Sequence, residues 1–403
     1  MKYVIIVGDG MADYPVEDFS GKTPLQVATH PSMDLIAAKG RSGMLKTIPE
    51  GMEAGSDTAN LSILGYDPRR IRVGRGPLEA ASLGVELHDE DLALRCNLIT
   101  EENGILLDYS AGHIESHDSR ELINFVQEAF GKTGEVEFYN GLSYRHLLVL
   151  RGRGYSDQIV CFPPHDVMGS RISDVLVKPI NDESKKTADL LNNMIFKSRE
   201  ILSSHPVNLI RSERGERVAN MLWFWGPGRR PRMRTLWEKH RVRGAVISAV
   251  DLIKGIGHYA GMKVINVPGA TGLHDTNYEG KADYALEALK NCDLVYIHVE
   301  APDEAGHNGD FKLKVRTIED LDKRLVGRVL DHLDGDYVIS VLTDHPTPVK
   351  LRTHTSDPVP FAIYNAALSK ADKLKRFDDF EAKNGSYGLV RGHKFMSLIL
   401  GKY

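Results

Sequence analysis

The chain of 403 residues has little of what defines several protein classes. Its 3 cysteines, Cys96, Cys161 and Cys292, form no CxxC pair, so the sequence indicates neither a disulfide framework nor a thiolate metal site. No run approaches the roughly 20 apolar residues of a membrane span. The first apolar run, residues 3–7, is too short for a signal-peptide core. We therefore expect a reduced, cytoplasmic protein that does not enter a membrane.

An excess of one charge is also lacking. The 51 Lys and Arg residues against 55 Asp and Glu residues give a net charge of −4, which argues against nucleic acid as a partner. The 42 % hydrophobic and 26 % charged fractions are typical of a globular protein and exclude collagen-like and disordered chains. Because single cores stop growing beyond roughly 250–300 residues, we expect two domains.

Four apolar runs predict buried parallel strands, because they are short, continuous and rich in β-branched residues. They are residues 3–7, 263–267, 293–299 and 337–342. Residues 280–291 and 313–333 show helical periodicity between the later runs. This alternation predicts an α/β sheet with right-handed crossovers.

The middle of the chain has a different pattern, which predicts a separate α+β unit. Its candidate strands are residues 92–98, 136–139, 146–150 and 221–225, and its candidate helices are residues 119–130 and 182–203. Glycine- and proline-rich segments flank it. We therefore predict a main domain of residues 1–85 and 236–403, interrupted by an inserted domain of residues 86–235.

Candidate metal ligands follow three of the predicted strands, whose carboxyl ends meet at one edge of the sheet. They are Asp9, Asp303, His307, Asp344 and His345, with His354 further along the chain. Taken singly, each has a structural alternative, such as a helix cap or a packed histidine. Together they form a mixed O/N donor set suited to Mn²⁺, Zn²⁺ or Mg²⁺. Six donors exceed the needs of one catalytic ion, so the sequence predicts two.

A two-metal site commonly serves displacement at phosphorus, which requires a nucleophile. The segment GSDTANLSILGYDP offers Ser56 at a predicted loop-to-helix junction, where a helix N-terminus also supports phosphate. The alternative is that Ser56 only caps the helix.

Several motifs together resemble those of the archaeal-type cofactor-independent (2,3-bisphosphoglycerate-independent) phosphoglycerate mutases of the alkaline phosphatase superfamily. VGDGMADYP, GSDTANLSILGYDP, GRGPLEAASLG, ISAVDLIKGIG, PGATG, HVEAPDEAGHNGD and TDHPTP follow the family's order from end to end. The resemblance implies an alkaline-phosphatase-like sheet sandwiched by helices, with an inserted smaller α+β domain that binds the substrate.

The same resemblance implies the roles of the ligands. One ion would be held by Asp303, His307 and His354, and the other by Asp9, Ser56, Asp344 and His345. Mn²⁺ is the preferred ion, with Zn²⁺, Mg²⁺ or Co²⁺ as alternatives, and 2,3-bisphosphoglycerate is not required. Ser56 would carry the phosphoryl group between the two hydroxyls of phosphoglycerate, while closure of the inserted domain excludes water.

The motifs indicate less clearly which residues contact the small phosphorylated substrate. Lys254 in DLIKG resembles a phosphate-contacting lysine, and its alternative is an exposed helix lysine. His113 in SAGHIESH resembles a proton-transferring histidine, and its alternative is a surface pair with His117. Arg145 and Arg171 are candidate anion contacts.

Other activities stay open at this point. Some members of the family are thought to be homoserine kinases, but this chain has no P-loop, because Val16 and Val126 stand where GxxxxGK[ST] begins with glycine. An ATP-using activity would have to use the same metals and Ser56. A metal-dependent phosphomonoesterase and, more remotely, a metal-stabilised interaction protein are the further alternatives.

Overall fold

The computed structural model describes residues 1–71, 74–368 and 370–402. The chain divides into two compact units, Met1–Arg72 with Met233–Tyr403, and Val73–Arg232. The strands are β1 (Lys2–Gly8), β2 (Arg41–Lys46), β3 (Leu92–Glu102), β4 (Ile105–Asp108), β5 (Val136–Tyr139), β6 (Arg145–Leu150), β7 (Ile159–Val160), β8 (Lys178–Pro179), β9 (Met221–Gly228), β10 (Gly244–Ile247), β11 (Lys263–Ile265), β12 (Leu294–Val299), β13 (Tyr337–Leu342), β14 (Val359–Asn365) and β15 (Gly388–Arg391).

The helices are α1 (Pro24–Val27), α2 (Pro31–Lys39), α3 (Ser56–Ile63), α4 (Arg75–Ser82), α5 (Ser116–Phe130), α6 (Lys185–Leu202), α7 (Pro206–Glu213), α8 (Leu236–His240), α9 (Asp251–Tyr259), α10 (Tyr278–Leu289), α11 (Ala301–His307), α12 (Phe311–Asp320), α13 (Gly327–His332) and α14 (Phe395–Ile399). A π-helical turn, Leu321–Val326, joins α12 to α13, so the helix predicted over residues 313–333 is continuous but changes its winding.

The first unit is built on a mixed sheet that, within the described residues, runs β11-β10-β12-β1-β13-β14-β2-β15. β1 pairs in parallel with β12 and β13, and β10 pairs in parallel with β11 and β12. Val4 and Ile6 of β1 pack into one core with α2, α10 and the π-helical turn, while Ile5 and Val7 are equally buried on the other side. The predicted α/β class is therefore confirmed, with apolar cover on both faces of the central strands.

The structure corrects the prediction at the margins of this sheet. β11 is an edge strand whose residues are partly exposed, so residues 263–267 are not a buried strand. β2, β14 and β15 were not predicted, and β14 runs antiparallel to both β13 and β2. Pro360 inside β14 and Gly43 inside β2 weaken the strand signal in these two segments. The short strand β10 also escaped prediction.

The second unit contains an antiparallel sheet of order β4-β3-β6-β5, and β9 also pairs antiparallel with β3. Its core is formed by that sheet together with α5 and α6. Its first boundary lies before α4, whereas the sequence placed it after residue 85. The reason is close packing of α4 on the sheet, because a Cβ on Gly76 would meet the backbone oxygen of Ala93 at 2.2 Å. A helix that approaches a strand this closely belongs to the same compact unit.

Candidate metal centre and its surroundings

The strand register of the first unit brings candidate ligands to one edge of the sheet. Gly8 at the end of β1 lies beside Val299 at the end of β12, and Val7 lies beside Leu342 at the end of β13. The residues that follow these strand ends therefore converge, as ligands do at the carboxyl edge of parallel strands. The converging side chains are Asp9, Asp303, His307, Asp344, His345 and His354.

An outer group forms around Asp303, which lies 5 % exposed on α11. Its carboxylate oxygens lie 3.2 Å from Nε2 of His307 and 3.5 Å from Nε2 of His354. The same two ring nitrogens are 2.9 Å apart. Ligand atoms of Asp303, His354 and His345 also lie within 4.8 Å of one another. This group offers one carboxylate and several imidazoles to a single cation.

An inner group forms around His345, which is fully buried. Its Nε2 lies 3.4 Å from Oδ1 of Asp9, 3.6 Å from Oδ2 of Asp344 and 3.1 Å from Oγ of Ser56. Ser56 is the first residue of α3, and Gly55 occupies the N-cap position. The capping alternative for Ser56 is therefore wrong, because its hydroxyl faces the cluster of candidate ligands.

Polar contacts hold the inner group in place. Asn60, one turn after Ser56, donates from Nδ2 to the Ser56 carbonyl at 2.8 Å and to Oδ2 of Asp344 at 2.9 Å. The hydroxyl of Tyr296 donates to Oδ1 of Asn60. Oδ1 of Asp344 accepts the backbone N–H of Gly10 at 3.1 Å and that of His345 at 2.9 Å. These contacts fix the orientation of a carboxylate that would otherwise rotate.

Thr347 connects the two groups. Its hydroxyl donates to Oδ1 of Asp303 and lies 3.2 Å from Nδ1 of His345. The side chain is fully buried. One hydroxyl therefore orients a ligand candidate in each group.

The charges of the protein alone favour a cation at this edge. Burial raises the pKa of Asp9 well above its ordinary value, and repulsion by Asp344 and Asp303 adds to this effect. Burial also acts to raise the pKa of Asp303, but hydrogen bonds with His307 and His354 outweigh it and hold that pKa well below its ordinary value. Buried carboxylates this close together are unfavourable without positive charge between them, and a divalent cation supplies such charge.

The donor set fits such an ion. Oδ1 of Asp9 is buried without a hydrogen-bond partner among the described residues, as is Nε2 of His298. Carboxylate oxygens and neutral imidazole nitrogens are ligands for Mn²⁺, Zn²⁺ and Mg²⁺ in varying proportion. Buried polar atoms without a hydrogen-bond partner require an explanation, and a cation bound beside these carboxylates would provide one.

His298 was missed by the sequence analysis. It lies inside β12, is 1 % exposed, and places Nε2 3.1 Å from Oδ2 of Asp9. Ligand atoms of Asp9, His298 and Asp344 lie within 4.8 Å of one another. The available signal was a single polar residue in an otherwise apolar parallel strand.

Buried charges lie near this edge on neighbouring elements. Burial lowers the pKa of Lys281 to about 8, partly offset by Glu300, while the charge of Lys254 lowers it further. Burial raises the pKa of Glu300 to about 7. The Lys254 side chain is 18 % exposed, with Nζ 3.7 Å from Oδ1 of Asp251. The alternative of an exposed helix lysine therefore does not hold for Lys254.

The other predicted substrate contacts lie in the second unit. His113 has a left-handed backbone with φ of 53°, and its ring contacts the rings of Tyr109 and Tyr144 at centroid distances of 6.4 and 5.9 Å. Arg145 at the start of β6 lies over the same Tyr144 ring at 5.7 Å. His117 instead points to Asp118, with Nδ1 3.5 Å from Oδ1. The structure therefore brings His113 together with Arg145 and not with His117.

Further aromatic and charged groups extend this patch of the second unit, and sequence spacing did not reveal them. The His165 ring contacts those of Tyr109 and Trp225 at centroid distances of 6.0 and 5.7 Å. Arg95 lies over the Trp225 ring at 5.0 Å. Arg171 is exposed and forms a backbone bridge with Ile105.

Within residues 1–71, 74–368 and 370–402, none of the helices combines the length and the apolar character needed to cross a bilayer.

Comparisons with known proteins agree on one family. A family model described as 2,3-bisphosphoglycerate-independent phosphoglycerate mutase matches residues 37–208. A protein of that name from Methanosarcina acetivorans is 50 % identical over 403 residues, covering 99 % of this chain and 100 % of the relative.

Solved structures are similar over the whole chain. A protein from Pyrococcus horikoshii has a TM-score of 0.84 at 33 % identity, covering 100 % of this chain and 97 % of that one. A cofactor-independent phosphoglycerate mutase from Thermoplasma acidophilum has a TM-score of 0.72 at 30 % identity, covering 100 % of this chain and 99 % of that one.

Proposed function

Because the chain belongs to the 2,3-bisphosphoglycerate-independent phosphoglycerate mutase family, we propose that it interconverts 3-phosphoglycerate and 2-phosphoglycerate through a phosphoserine at Ser56. The observation that carries this proposal is the 3.1 Å approach of the Ser56 hydroxyl to His345, inside a cluster of metal-ligand candidates. A serine at the first residue of a helix can attack a phosphoryl group that the helix N-terminus also stabilises.

We assign the outer ion to Asp303, His307 and His354, and the inner ion to Asp9, Asp344 and His345 with the Ser56 hydroxyl. Mn²⁺ is our preferred assignment, with Zn²⁺, Mg²⁺ and Co²⁺ to be compared by loading. Bound divalent cations would lower the pKa of the Ser56 hydroxyl and balance charge on the phosphoryl oxygens.

The reaction we propose has two displacements. Oγ of Ser56 forms a bond to phosphorus while the bond from phosphorus to O3 of the substrate breaks, and O3 gains a proton as glycerate. The 2-hydroxyl of glycerate then attacks the phosphoserine, and the Ser56 oxygen leaves. 2,3-Bisphosphoglycerate is not needed, because the serine holds the phosphoryl group between the steps.

We assign supporting roles to His113, Lys254, Arg145 and Arg171. His113 would carry the proton between the substrate hydroxyls, since histidine exchanges protons near neutral pH. Lys254, Arg145 and Arg171 would neutralise the phosphate and carboxylate of the substrate. The contact of His113 and Arg145 with one tyrosine ring supports a shared substrate-facing role for these two.

The test is an enolase-coupled assay of the metal-loaded chain with 3-phosphoglycerate. We expect 2-phosphoglycerate from the wild type, loss of activity in Ser56→Ala, and a phosphorylated Ser56 peptide in the quenched reaction by mass spectrometry. Ser62→Ala is the matched control, because Ser62 lies on the same helix but packs against Gly392.

Parallel reactions separate the alternatives. Release of inorganic phosphate without isomerisation would identify a phosphomonoesterase, and phosphohomoserine formed from homoserine and ATP would identify a kinase. Full activity in Ser56→Ala would refute the phosphoserine mechanism for any of these substrates.

A further inference from the structure

The first unit contains a cavity of about 870 Å³ at the edge of the sheet that lies opposite the candidate metal ligands. Tyr3 near the start of β1 and Val338 near the start of β13 line this cavity, whereas Asp9 follows the other end of β1. Sites that bind small molecules have volumes of roughly 300–1,000 Å³. The cavity therefore has the size of a ligand site and is separate from the site of the proposed reaction.

Part of the cavity wall is apolar. Val338 of β13, Ile363 of β14 and Ile399 of α14 line the cavity and are each at most 5 % exposed. Leu398 and Leu400 add to the same apolar lining. A ligand with an apolar body would remove this surface from water, which favours binding.

Another part of the lining carries positive charge. Arg41 and Lys370 line the cavity, and among the described residues its lining includes no Asp or Glu. Neither cation has an ion-pair partner within the part of the chain that the structure describes. Asp372, a carboxylate near this wall, accepts the backbone N–H groups of Ser42 and Ser386, each at 2.8 Å. The cavity therefore offers two cations that can pair with an anionic ligand.

The Arg41 guanidinium is held in place before a ligand binds. Its Nε donates to Oγ of Ser386 at 2.6 Å, and its Cζ lies 4.1 Å from the centroid of the Tyr387 ring. The Tyr387 ring in turn stacks on Phe361 at a centroid distance of 5.7 Å. A side chain that is already ordered loses little conformational freedom on binding. Because a guanidinium pairs with planar anionic groups and stacks on aromatic faces, Arg41 favours a flat anion.

We propose that this cavity binds a small organic anion with a flat apolar body and one carboxylate, sulfonate or phosphate group. The anionic group would pair with Arg41 and Lys370, and the apolar body would lie against Val338, Ile363 and Ile399. The inference does not depend on the proposed function, because none of these residues is a candidate metal ligand or a proposed substrate contact.

The test is a fluorescence titration of the full, metal-loaded chain with 8-anilinonaphthalene-1-sulfonate, which is an anion with an aromatic body. We expect saturable binding that 3-phosphoglycerate does not displace. Arg41→Gln and Lys370→Glu should each raise the dissociation constant about 10–100-fold, because a hydrogen bond to a charged group contributes roughly this factor. The matched control is Lys312→Glu, since Lys312 is an exposed lysine of the first unit that does not line the cavity. This control should bind the probe as the wild type does.

Competition tests the class of ligand. 1-Naphthoate combines a flat apolar body with a negative charge and should displace the probe. Sodium sulfate supplies the charge alone and 2-naphthol supplies the ring alone, so each should displace much less of the probe at the same concentration.

The proposal would be overturned by a folded wild type without saturable binding, or by a probe that 3-phosphoglycerate displaces. Sulfate or 2-naphthol that competes as well as 1-naphthoate would also overturn it, as would an unchanged dissociation constant in folded Arg41→Gln or in Lys370→Glu. Lys370 is exposed, so its variant tests the charge even if Arg41→Gln does not fold, as judged by circular dichroism. Ser56→Ala, which tests the phosphoserine mechanism, should bind the probe normally.

Discussion

Replacement of Gly10 by alanine should disturb the metal centre through one methyl group. Gly10 follows Asp9 with φ of 60°, and an added Cβ would lie 2.4 Å from Oδ1 of Asp303, 2.6 Å from Oγ1 of Thr347 and 2.8 Å from Cα of Asp303. The last contact is with backbone, so a rotamer change cannot relieve it. The backbone of Gly10 or of Asp303 must therefore shift, which changes the position of Asp303 relative to Asp9.

Gly21→Ala is the matched control for the strain that a left-handed backbone imposes on a residue other than glycine. Gly21 has φ of 67°, in the same unit, but nothing lies within 4 Å of an added Cβ. Both variants bear the left-handed strain of a non-glycine residue, roughly 1–2 kcal/mol. Only Gly10→Ala adds an overpacking cost of about 1–3 kcal/mol. Gly10→Ala should therefore lose roughly 2–5 kcal/mol of unfolding free energy, against about 1–2 kcal/mol for Gly21→Ala.

Two measurements test this reasoning. Urea unfolding in the presence of a chelator gives the stability of the metal-free chain, and calorimetric titration gives the affinity for Mn²⁺. We expect Gly10→Ala to weaken metal binding about 10–100-fold. Loss of a residue that only orients a metal ligand has an effect of this size, and displacement of the ligand itself should weaken binding at least as much. Equal stability and equal affinity in the two variants would refute the steric argument.

Three further variants probe contacts around the centre. Thr347→Val should weaken Mn²⁺ binding about 10-fold in calorimetry, because Asp303 loses the hydroxyl that orients it, and unchanged affinity would contradict this role. Lys314→Met should lower the free energy of unfolding in urea by about 3–5 kcal/mol, because the buried carboxylate of Asp13 loses the ammonium group that lies 2.7 Å away. A double variant that also replaces Asp13 by Leu should recover much of this stability. Burial raises the pKa of Asp379 to about 7. The folded chain therefore holds a proton on Asp379 that the unfolded chain releases near pH 4. Binding of this proton stabilises the folded chain, and that stabilisation is lost as pH rises from about 4 to 7. Asp379→Asn should remove that part of the slope in unfolding measured across this range, and an unchanged slope would contradict the assignment.

The strands that carry the metal centre were predictable because their signals are local. Residues 3–7, 293–299 and 337–342 are continuous apolar runs, and they correspond to β1, β12 and β13. The structure added β14 and β2 beyond β13, in segments where Pro360 and Gly43 interrupt the apolar pattern. It also moved α4 into the second unit, since close contact of Gly76 with Ala93 cannot be recognised from composition.

The candidate ligands were found for the same local reason, whereas their division into two groups was implied only by the family resemblance. A strand end followed by Asp or His can be recognised within a few residues, so Asp9 and Asp344 were predicted. A lone histidine within an apolar strand is indistinguishable from a packed one, so His298 was not. The contact between Ser56 and His345 joins residues that are 289 positions apart in the chain, so no local sequence pattern could reveal it.

The sequence by itself therefore determined the main strands, the residue types at their ends and the family. Only the tertiary structure decided that Asp9 lies beside both His298 and His345, because that depends on the register between β1, β12 and β13. Register is set by side-chain packing across the sheet, between residues that are hundreds of positions apart in the chain.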